Sequence, residues 1–306
     1  MRDAPELSQG GYGMAVDIGT TTVAAYLYRF PEGTLEQSVC YPNPQSAFGG
    51  DVISRIEYAS QGGLVQLQQS ILSLMQQIQK QFGKNLVKSV ITGNTTMLHL
   101  FSGLDPAPLA SAPFRPRTLF GTWQGNTYLP PCISAYVGAD VTCAILASDM
   151  LSQSCALLAD IGTNGEIAFW DGKHLLCCST AAGPVFEGAG ISQGTIAAEG
   201  AVSKVSYQNG TYVYETIGNK VPAGVCGTGL IDMIACMLQA GVLEESGFLE
   251  ADTEIGDSGV FISKADVRQV QLAKAAVRGG IETIVRKAGR RLEEIEAFYL
   301  CGGFGS

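Results

Sequence analysis

A short pattern of residues occurs twice in this chain, once near the start and once near the middle. Residues 14–23 read MAVDIGTTTV, and residues 157–167 read LLADIGTNGEI. In each copy an apolar stretch ends in an aspartate, a Gly/Thr turn follows, and a second apolar stretch begins. The β-branched residues on both sides of each turn predict a β-hairpin at each place. Two such copies, roughly 140 residues apart, predict two related domains.

The residue types in the two turns are suited to binding phosphate. Consecutive backbone N–H groups and hydroxyls in a tight, glycine-containing turn form a concave site for phosphate oxygens. The aspartates that precede the turns, Asp17 and Asp160, are hard oxygen ligands, which we expect to hold a hydrated Mg²⁺ ion through its water molecules. We predict that both are catalytic and metal-binding. The predicted phosphate contacts are Gly19, Thr20, Thr21, Thr22, Gly162, Thr163, Asn164 and Gly165. A single copy of the motif would also fit an ordinary hairpin turn.

Two further glycine pairs extend the predicted site. Gly227-Thr228-Gly229 precedes a predicted helix, and Gly302-Gly303 follows a predicted strand. Either pair could let a nucleotide approach the backbone, or could simply allow a helix or turn to begin. In combination with the hairpins they predict a purine and ribose pocket in the second half of the chain.

Three charged residues of the first half, Asp51, Arg55 and Asp140, lie near predicted loop ends. We expect them to serve as helix caps or ion-pair partners. Asp140 is the best candidate if the chain has a general base.

The composition excludes several classes of function. A net charge of −9 argues against binding to nucleic acid or to an anionic membrane. The chain has neither an apolar stretch of membrane-spanning length nor a signal-peptide core, so we expect a cytoplasmic protein. The nine cysteines include no C-x-x-C spacing and no ferredoxin-type run, so we expect packed, reduced thiols and no iron–sulfur cluster in this chain.

Periodicity and capping signals place the main elements. Apolar residues at steps of three and four predict an amphipathic helix over 64–82 that ends at Gly83. A capping-box pattern at Ser263 begins a helix to about residue 288, and Gly279-Gly280 in its middle predicts a bend or a close backbone contact. A loop is predicted over 41–50, and Asp51 is a plausible N-cap for a helix over 51–59. We place the domain boundary so that the domains span 13–150 and 151–306.

The hairpins resemble the two phosphate motifs of the superfamily of acetate and sugar kinases, heat-shock chaperone ATPases and actin. Gly302-Gly303 is similar to its adenosine motif, and the predicted helix from Ala139 is similar to its first connecting helix. The resemblance implies an α/β fold with two ribonuclease H-like (actin-like) domains around ATP.

A narrower resemblance covers nearly the whole chain from about residue 13. The motifs that carry it are NPQ (43–45), GDVISRI (50–56), GNTTM (93–97), APF (112–114), DIGTNGEI (160–167), GPVFEG (183–188), CGTGLID (226–232) and DVRQVQLAK (266–274). They resemble the reductive activators of corrinoid proteins. This resemblance implies a slow, partner-stimulated ATPase that couples Mg-ATP to the reduction of Co(II) to Co(I) on a corrinoid protein or corrinoid methyltransferase system.

Two departures from that family affect the expectation. Members usually carry an iron–sulfur domain ahead of this region, so we expect a separate electron donor here. They also continue beyond the Gly-Gly-Phe-Gly turn, so we expect the second domain to be truncated and the adenosine site to be incomplete.

Two other functions remain open at this point. A small-molecule kinase acting on a sugar or a carboxylate would need a base such as Asp140 or Asp51, with 106–131 as a substrate lid. A nucleotide-gated, actin-like binding module would need no catalysis.

Overall fold

The computed structural model describes residues 10–302 of the chain. The chain divides into two compact units, the first ending at Ser148 and the second beginning at Asp149. Each unit combines β-sheet with α-helices, which confirms the α/β class predicted from the sequence. Within residues 10–302, no helix has both the length and the apolar character that crossing a membrane requires.

A six-stranded sheet organises the first unit. Its strands are β1 (Gly11–Ile18), β2 (Thr22–Phe30), β3 (Thr34–Pro42), β4 (Leu86–Gly93), β5 (Thr122–Gln124) and β6 (Thr127–Leu129), in the order β3-β2-β1-β4-β6-β5. β1 pairs antiparallel with β2 and parallel with β4, so the predicted first hairpin is confirmed. β3 was not predicted, and it takes up the start of the region that the sequence assigned to a loop. Residues 34–38 are all exposed, so this edge strand lacks the alternation that would have revealed it.

From residue 10 onward, the first unit contains four α-helices: α1 (Val52–Tyr58), α2 (Leu64–Phe82), α3 (Thr95–Phe101) and α4 (Ala139–Ala147). Asp51 caps α1 in a capping box with Ser54, which confirms the N-cap predicted from the sequence. α2 has the predicted bounds and ends at Gly83, whose φ of 60° is left-handed. Its apolar face packs on the strands of the hairpin, and burial of each large side chain contributes about 1.5–3 kcal/mol. The hairpin therefore packs on a buried apolar core.

Up to residue 302, the second unit contains nine strands and two α-helices. The strands are β7 (Ala156–Ile161), β8 (Gly165–Trp170), β9 (Leu175–Thr180), β10 (Ala201–Gln208), β11 (Thr211–Thr216), β12 (Gly224–Val225), β13 (Thr253–Glu254), β14 (Phe261–Ile262) and β15 (Ala297–Cys301). They form sheets of order β15-β7-β8-β9, β11-β10-β12 and β13-β14. The helices are α5 (Gly227–Gln239) and α6 (Lys264–Lys287). β7 and β8 are the predicted second hairpin, and β15 pairs parallel with β7.

α6 begins at the predicted capping box and passes close to the sheet. The Ser263 hydroxyl accepts a hydrogen bond from Asp266 N at 3.2 Å, and the Asp266 side chain accepts one from Ser263 N at 2.9 Å. A Cβ added at Gly280 would overlap Thr180 Cγ2 and lie 2.7 Å from Ile167 Cδ1. A Cβ at Gly279 would meet nothing within 4 Å. The close backbone contact predicted for this pair is therefore made by Gly280 alone.

The two adjacent glycines predict substitutions of opposite sign. Gly279→Ala should raise the free energy of unfolding by about 0.5–1 kcal/mol, because Ala restricts the unfolded chain and favours helix. Gly280→Ala should lower it by about 1–3 kcal/mol, because the new methyl group overpacks the contact with β8 and β9. Urea denaturation of both variants beside the wild type measures the two effects. Equal changes in the two variants would contradict the contact.

Candidate functional site

The first hairpin places Asp17 near the carboxyl end of β1. Asp17 lies in register with Ala24 of β2 and Thr92 of β4, and its residue is exposed. Burial raises the pKa of the Cys143 thiol in α4, and the nearby carboxylates of Asp140 and Asp17 act in the same direction. The structure therefore places Asp17 and Asp140, two of the candidates from the sequence, near the same thiol.

The turn between β1 and β2 is held from one side through its carbonyl oxygens. Asn43 Nδ2 donates to Gly19 O at 2.7 Å, and Asn43 N donates to Thr21 O at 2.8 Å. Arg55 Nη2 donates to Thr20 O at 2.6 Å. From the sequence, Arg55 was expected to be a helix cap or an ion-pair partner. The structure shows instead that it holds a carbonyl oxygen of the turn. Asn43 was missed as well, although the NPQ motif contained it.

A further contact holds the hydroxyl of the turn. Asn94 Nδ2 donates to Thr20 Oγ1 at 3.2 Å, while Asn94 Oδ1 caps α3 by accepting from Met97 N at 2.9 Å. A Cβ at Gly138 would lie 2.5 Å from Asn94 Cα, so a side chain there would separate the start of α4 from this asparagine. Residues from three segments of the first unit therefore hold the predicted phosphate turn by hydrogen bonds.

In the second unit, Asp160 lies in a confined position at the end of β7. Gly302, which follows β15, has a φ of 81°, and a Cβ there would overlap Asp160 Oδ1. Burial raises the pKa of Asp160, and the Glu187 carboxylate raises it further. The structure therefore brings the predicted residues Asp160 and Gly302 together. Gly303, the other member of the predicted pair, lies outside the described residues.

Glu187 is a member of this cluster that the sequence analysis did not select. Thr163 Oγ1 donates to Glu187 Oε2 at 2.6 Å, and Gly162 N donates to Asn164 O at 2.9 Å within the turn. The signal that could have found Glu187 is the GPVFEG motif at 183–188, in which it is the charged residue. Glu187 fixes the hydroxyl of Thr163 and places a second carboxylate beside Asp160.

The glycines at the start of α5 are explained by packing. A Cβ at Gly227 would overlap Phe186 O, and a Cβ at Gly229 would overlap Val202 O. Thr228 Oγ1 donates to Ser203 O at 2.8 Å. These contacts agree with the alternative that the glycines simply allow the helix to begin. Direct contact of the three residues with a nucleotide stays a prediction. Because Phe186 precedes Glu187, the same packing joins the start of α5 to the loop beside Asp160.

The donor atoms at these positions fit a hydrated Mg²⁺ ion. Over residues 10–302, no group of three or more His, Cys, Asp or Glu side chains is arranged to bind a metal ion directly. Asp160 and Glu187 nevertheless form a carboxylate pair whose mutual repulsion a cation would relieve. Carboxylates that bind Mg²⁺ through its retained water molecules need no closed cage.

The raised pKa of Asp160 predicts a pH-dependent stability. A carboxyl whose pKa is higher in the folded state stabilises the fold below its unfolded pKa, and that contribution is lost as the pH rises through the folded value. Asp160→Asn removes the ionisation. The stability of this variant relative to wild type should therefore be greater at about pH 8 than at about pH 3. Thermal unfolding across this range measures the difference.

Asp171→Asn is the matched control for this measurement. The pKa of Asp171 is lowered, first by its hydrogen bond from His174 N, so its substitution should change relative stability in the opposite direction with pH. A flat profile for Asp160→Asn beside a sloping profile for Asp171→Asn would contradict the burial of the Asp160 charge.

Comparisons with known proteins cover both units. The family described as the C-terminal domain of RACo, the ASKHA domain, matches residues 154–306, and the RACo middle region matches residues 12–153. The corrinoid activation enzyme RamQ of Eubacterium limosum is 34% identical over 96% of this chain and 58% of its own length. The [Co(II) methylated amine-specific corrinoid protein] reductase of Methanosarcina barkeri is 26% identical over 96% of this chain and 63% of its own length.

A solved structure gives the same result. The reductive activator for corrinoid, iron–sulfur protein superposes with a TM-score of 0.83 at 34% identity, covering 97% of this chain and 55% of that one. The chain thus spans little more than half the length of these relatives. The actin-like fold inferred from the motifs is confirmed, and the chain belongs to the RACo family of corrinoid-protein activators.

Proposed function

We propose that this chain is the ATP-binding and ATP-hydrolysing part of an activator that returns a partner corrinoid protein from Co(II) to Co(I). The proposal is supported by the names of its relatives, which activate or reduce corrinoid proteins. The observation that carries it is the presence, in each unit of a nucleotide-binding fold, of a hairpin whose turn follows an aspartate.

In this proposal the first hairpin binds phosphate oxygens. Gly19 keeps the turn tight, and Thr20, Thr21 and Thr22 offer N–H groups and hydroxyls. Asp17 lies on β1 just before this turn, and in this proposal it orients water molecules near the phosphates. The carbonyl oxygens of the turn are occupied by Asn43 and Arg55, so they do not present negative partial charge to the nucleotide.

The second hairpin supplies the other phosphate contacts. Gly162, Thr163, Asn164 and Gly165 form its turn, and the hydrogen bond to Glu187 orients the Thr163 hydroxyl. Mg²⁺, when bound, would neutralise phosphate charge, and Asp17 and Asp160 are the residues that would hold it through its water molecules. Gly227, Thr228, Gly229, Gly302 and Gly303 are the proposed contacts for the nucleoside.

The chemistry proposed for the chain itself is hydrolysis of ATP. A water molecule attacks the γ-phosphorus, the bond from that phosphorus to the β–γ bridging oxygen breaks, and ADP, phosphate and a proton are released. Catalysis of this step depends mainly on positioning and charge stabilisation, which fixed turns and carboxylates provide.

Cobalt reduction is proposed to occur on the partner. A separate low-potential donor gives one electron to Co(II), which becomes Co(I). Nucleotide binding and hydrolysis bias the bound corrinoid protein toward the state that accepts this electron, by altering cobalt ligation. Neither nucleic acid nor a membrane is needed as a partner.

The proposal predicts that each aspartate is needed for nucleotide binding. Asp17→Ala and Asp160→Ala should each weaken Mg-ATP binding by about 10–100-fold, as expected for groups that hold a metal through its water molecules. Isothermal titration calorimetry with folded variants measures the loss. Glu32→Ala and Asp252→Ala, which remove exposed carboxylates from the first and second unit, should bind like wild type. Unchanged binding in both aspartate variants would contradict the assignment.

A second measurement tests the partner. Corrinoid protein in its Co(II) form should stimulate ATP hydrolysis by the wild type, and with a low-potential donor its absorption spectrum should change to that of Co(I). Hydrolysis and spectrum that do not respond to saturating partner would overturn the activator function. ATP-dependent phosphorylation of a sugar or a carboxylic acid would support the kinase alternative instead.

A further inference from the structure

Two buried side chains hold the turn of the first hairpin without belonging to the turn. We infer that Arg55 and Asn43 are positioning residues that keep the N–H groups of Thr20 and Thr21 directed toward bound phosphate. This inference rests on the proposed ATP binding and adds to it the residues that prepare the backbone for the anion.

Peptide geometry connects the carbonyl oxygens of the turn to its N–H groups. In a trans peptide, the C=O of one residue and the N–H of the next point in opposite directions. The carbonyl oxygens of Gly19, Thr20 and Thr21 all accept hydrogen bonds from Asn43 or Arg55. The N–H groups of the next residues in the chain must therefore point away from these two side chains. Between residues 10 and 302, the backbone–backbone hydrogen bonds of the turns and loops include none donated by the N–H of Thr20 or Thr21.

The two side chains are fixed by further contacts. Asn43 and Arg55 are both fully buried. Arg55 Nε donates to Gly49 O at 2.9 Å, and its Nη1 lies 3.2 Å from Met97 Sδ. Asn43 Oδ1 accepts from Gln45 N at 2.9 Å, which fixes the orientation of its amide. These contacts restrain the conformation of each side chain. The hydrogen bonds from the two side chains to the carbonyl oxygens restrain the turn in the same way.

The guanidinium also contributes charge behind the turn. Burial lowers the pKa of Arg55 to about 10, and the Asp51 carboxylate opposes this shift, so the group remains charged at neutral pH. The atoms that accept its hydrogen bonds are two neutral carbonyl oxygens and a thioether sulfur. Its positive charge therefore favours an anion on the opposite face of the turn.

The geometry requires these particular residue types. Only the planar fork of arginine can reach Gly49 O, Thr20 O and Met97 Sδ at once, and lysine would keep the charge while losing the fork. Aspartate at position 43 would keep the acceptor for Gln45 N but would replace the donor to Gly19 O by a second acceptor.

The experiment compares Arg55→Lys, Arg55→Met and Asn43→Asp by calorimetry with Mg-ATP and with adenosine. Loss of one charge-assisted hydrogen bond should weaken Mg-ATP binding about 10-fold in Arg55→Lys, with a larger loss in Arg55→Met. Adenosine has no phosphate, so its affinity should remain that of wild type. Glu57→Ala is the matched control, because it removes an exposed carboxylate from the same helix without touching the turn. It should leave Mg-ATP affinity unchanged.

A measurement on the wild type covers the case in which the variants do not fold. Addition of Mg-ATP to ¹⁵N-labelled protein should shift the amide resonances of Thr20 and Thr21 and slow their hydrogen exchange. Unshifted amides, or folded variants that bind Mg-ATP like wild type, would overturn the inference. A parallel loss of adenosine binding would overturn it too, because that indicates general damage. If Asp17→Ala still weakens Mg-ATP binding, the proposed function survives that failure, whereas a wild type that binds no Mg-ATP overturns both.

Discussion

A backbone turn can attract an anion only if its carbonyl oxygens are bound elsewhere. Carbonyl oxygens and N–H groups alternate along the chain, so an unrestrained turn offers both signs of partial charge to a ligand. In the first unit, Asn43 and Arg55 bind the carbonyl oxygens of residues 19–21 from the protein side. The amphipathic helix α2 and the sheet provide the packed core on which this arrangement stands. The proposed phosphate site therefore depends on an asparagine and an arginine that need not touch the nucleotide.

The second unit prepares its turn by different means. Glu187 holds the Thr163 hydroxyl, and the buried Asp160 carboxylate lies near a second negative charge. Such a pair is unfavourable for the folded protein in the absence of a cation, which is typical of functional sites. The two similar hairpin sequences thus have different surroundings. The buried guanidinium of Arg55 contacts the first turn, whereas the carboxylates of Asp160 and Glu187 lie beside the second.

The elements that could be predicted from the sequence are those with local signals. The period of apolar residues gave α2 its bounds, Asp51 and Ser263 marked two helix starts, and the repeated motif located both hairpins. β3 was missed because an exposed edge strand has no buried face to produce alternation. The hydrogen bonds that Arg55 and Asn43 donate to carbonyl oxygens of the turn were not predicted, because the accepting residues lie 35 and 24 positions away in the sequence. The contact of Glu187 with Thr163 likewise spans 24 positions, and only tertiary structure reveals it.

The pairing of β15 with β7 has a consequence for the environment of Asp160. Cys301 lies in register with Asp160, and Gly302 then turns against its carboxylate. The last described strand therefore lies directly beside Asp160, which belongs to a segment more than a hundred positions earlier. Removal of that strand would hydrate the carboxylate and return its acidity toward that of a surface aspartate. The electrostatic character of the second hairpin thus depends on a strand that comes last among the described residues.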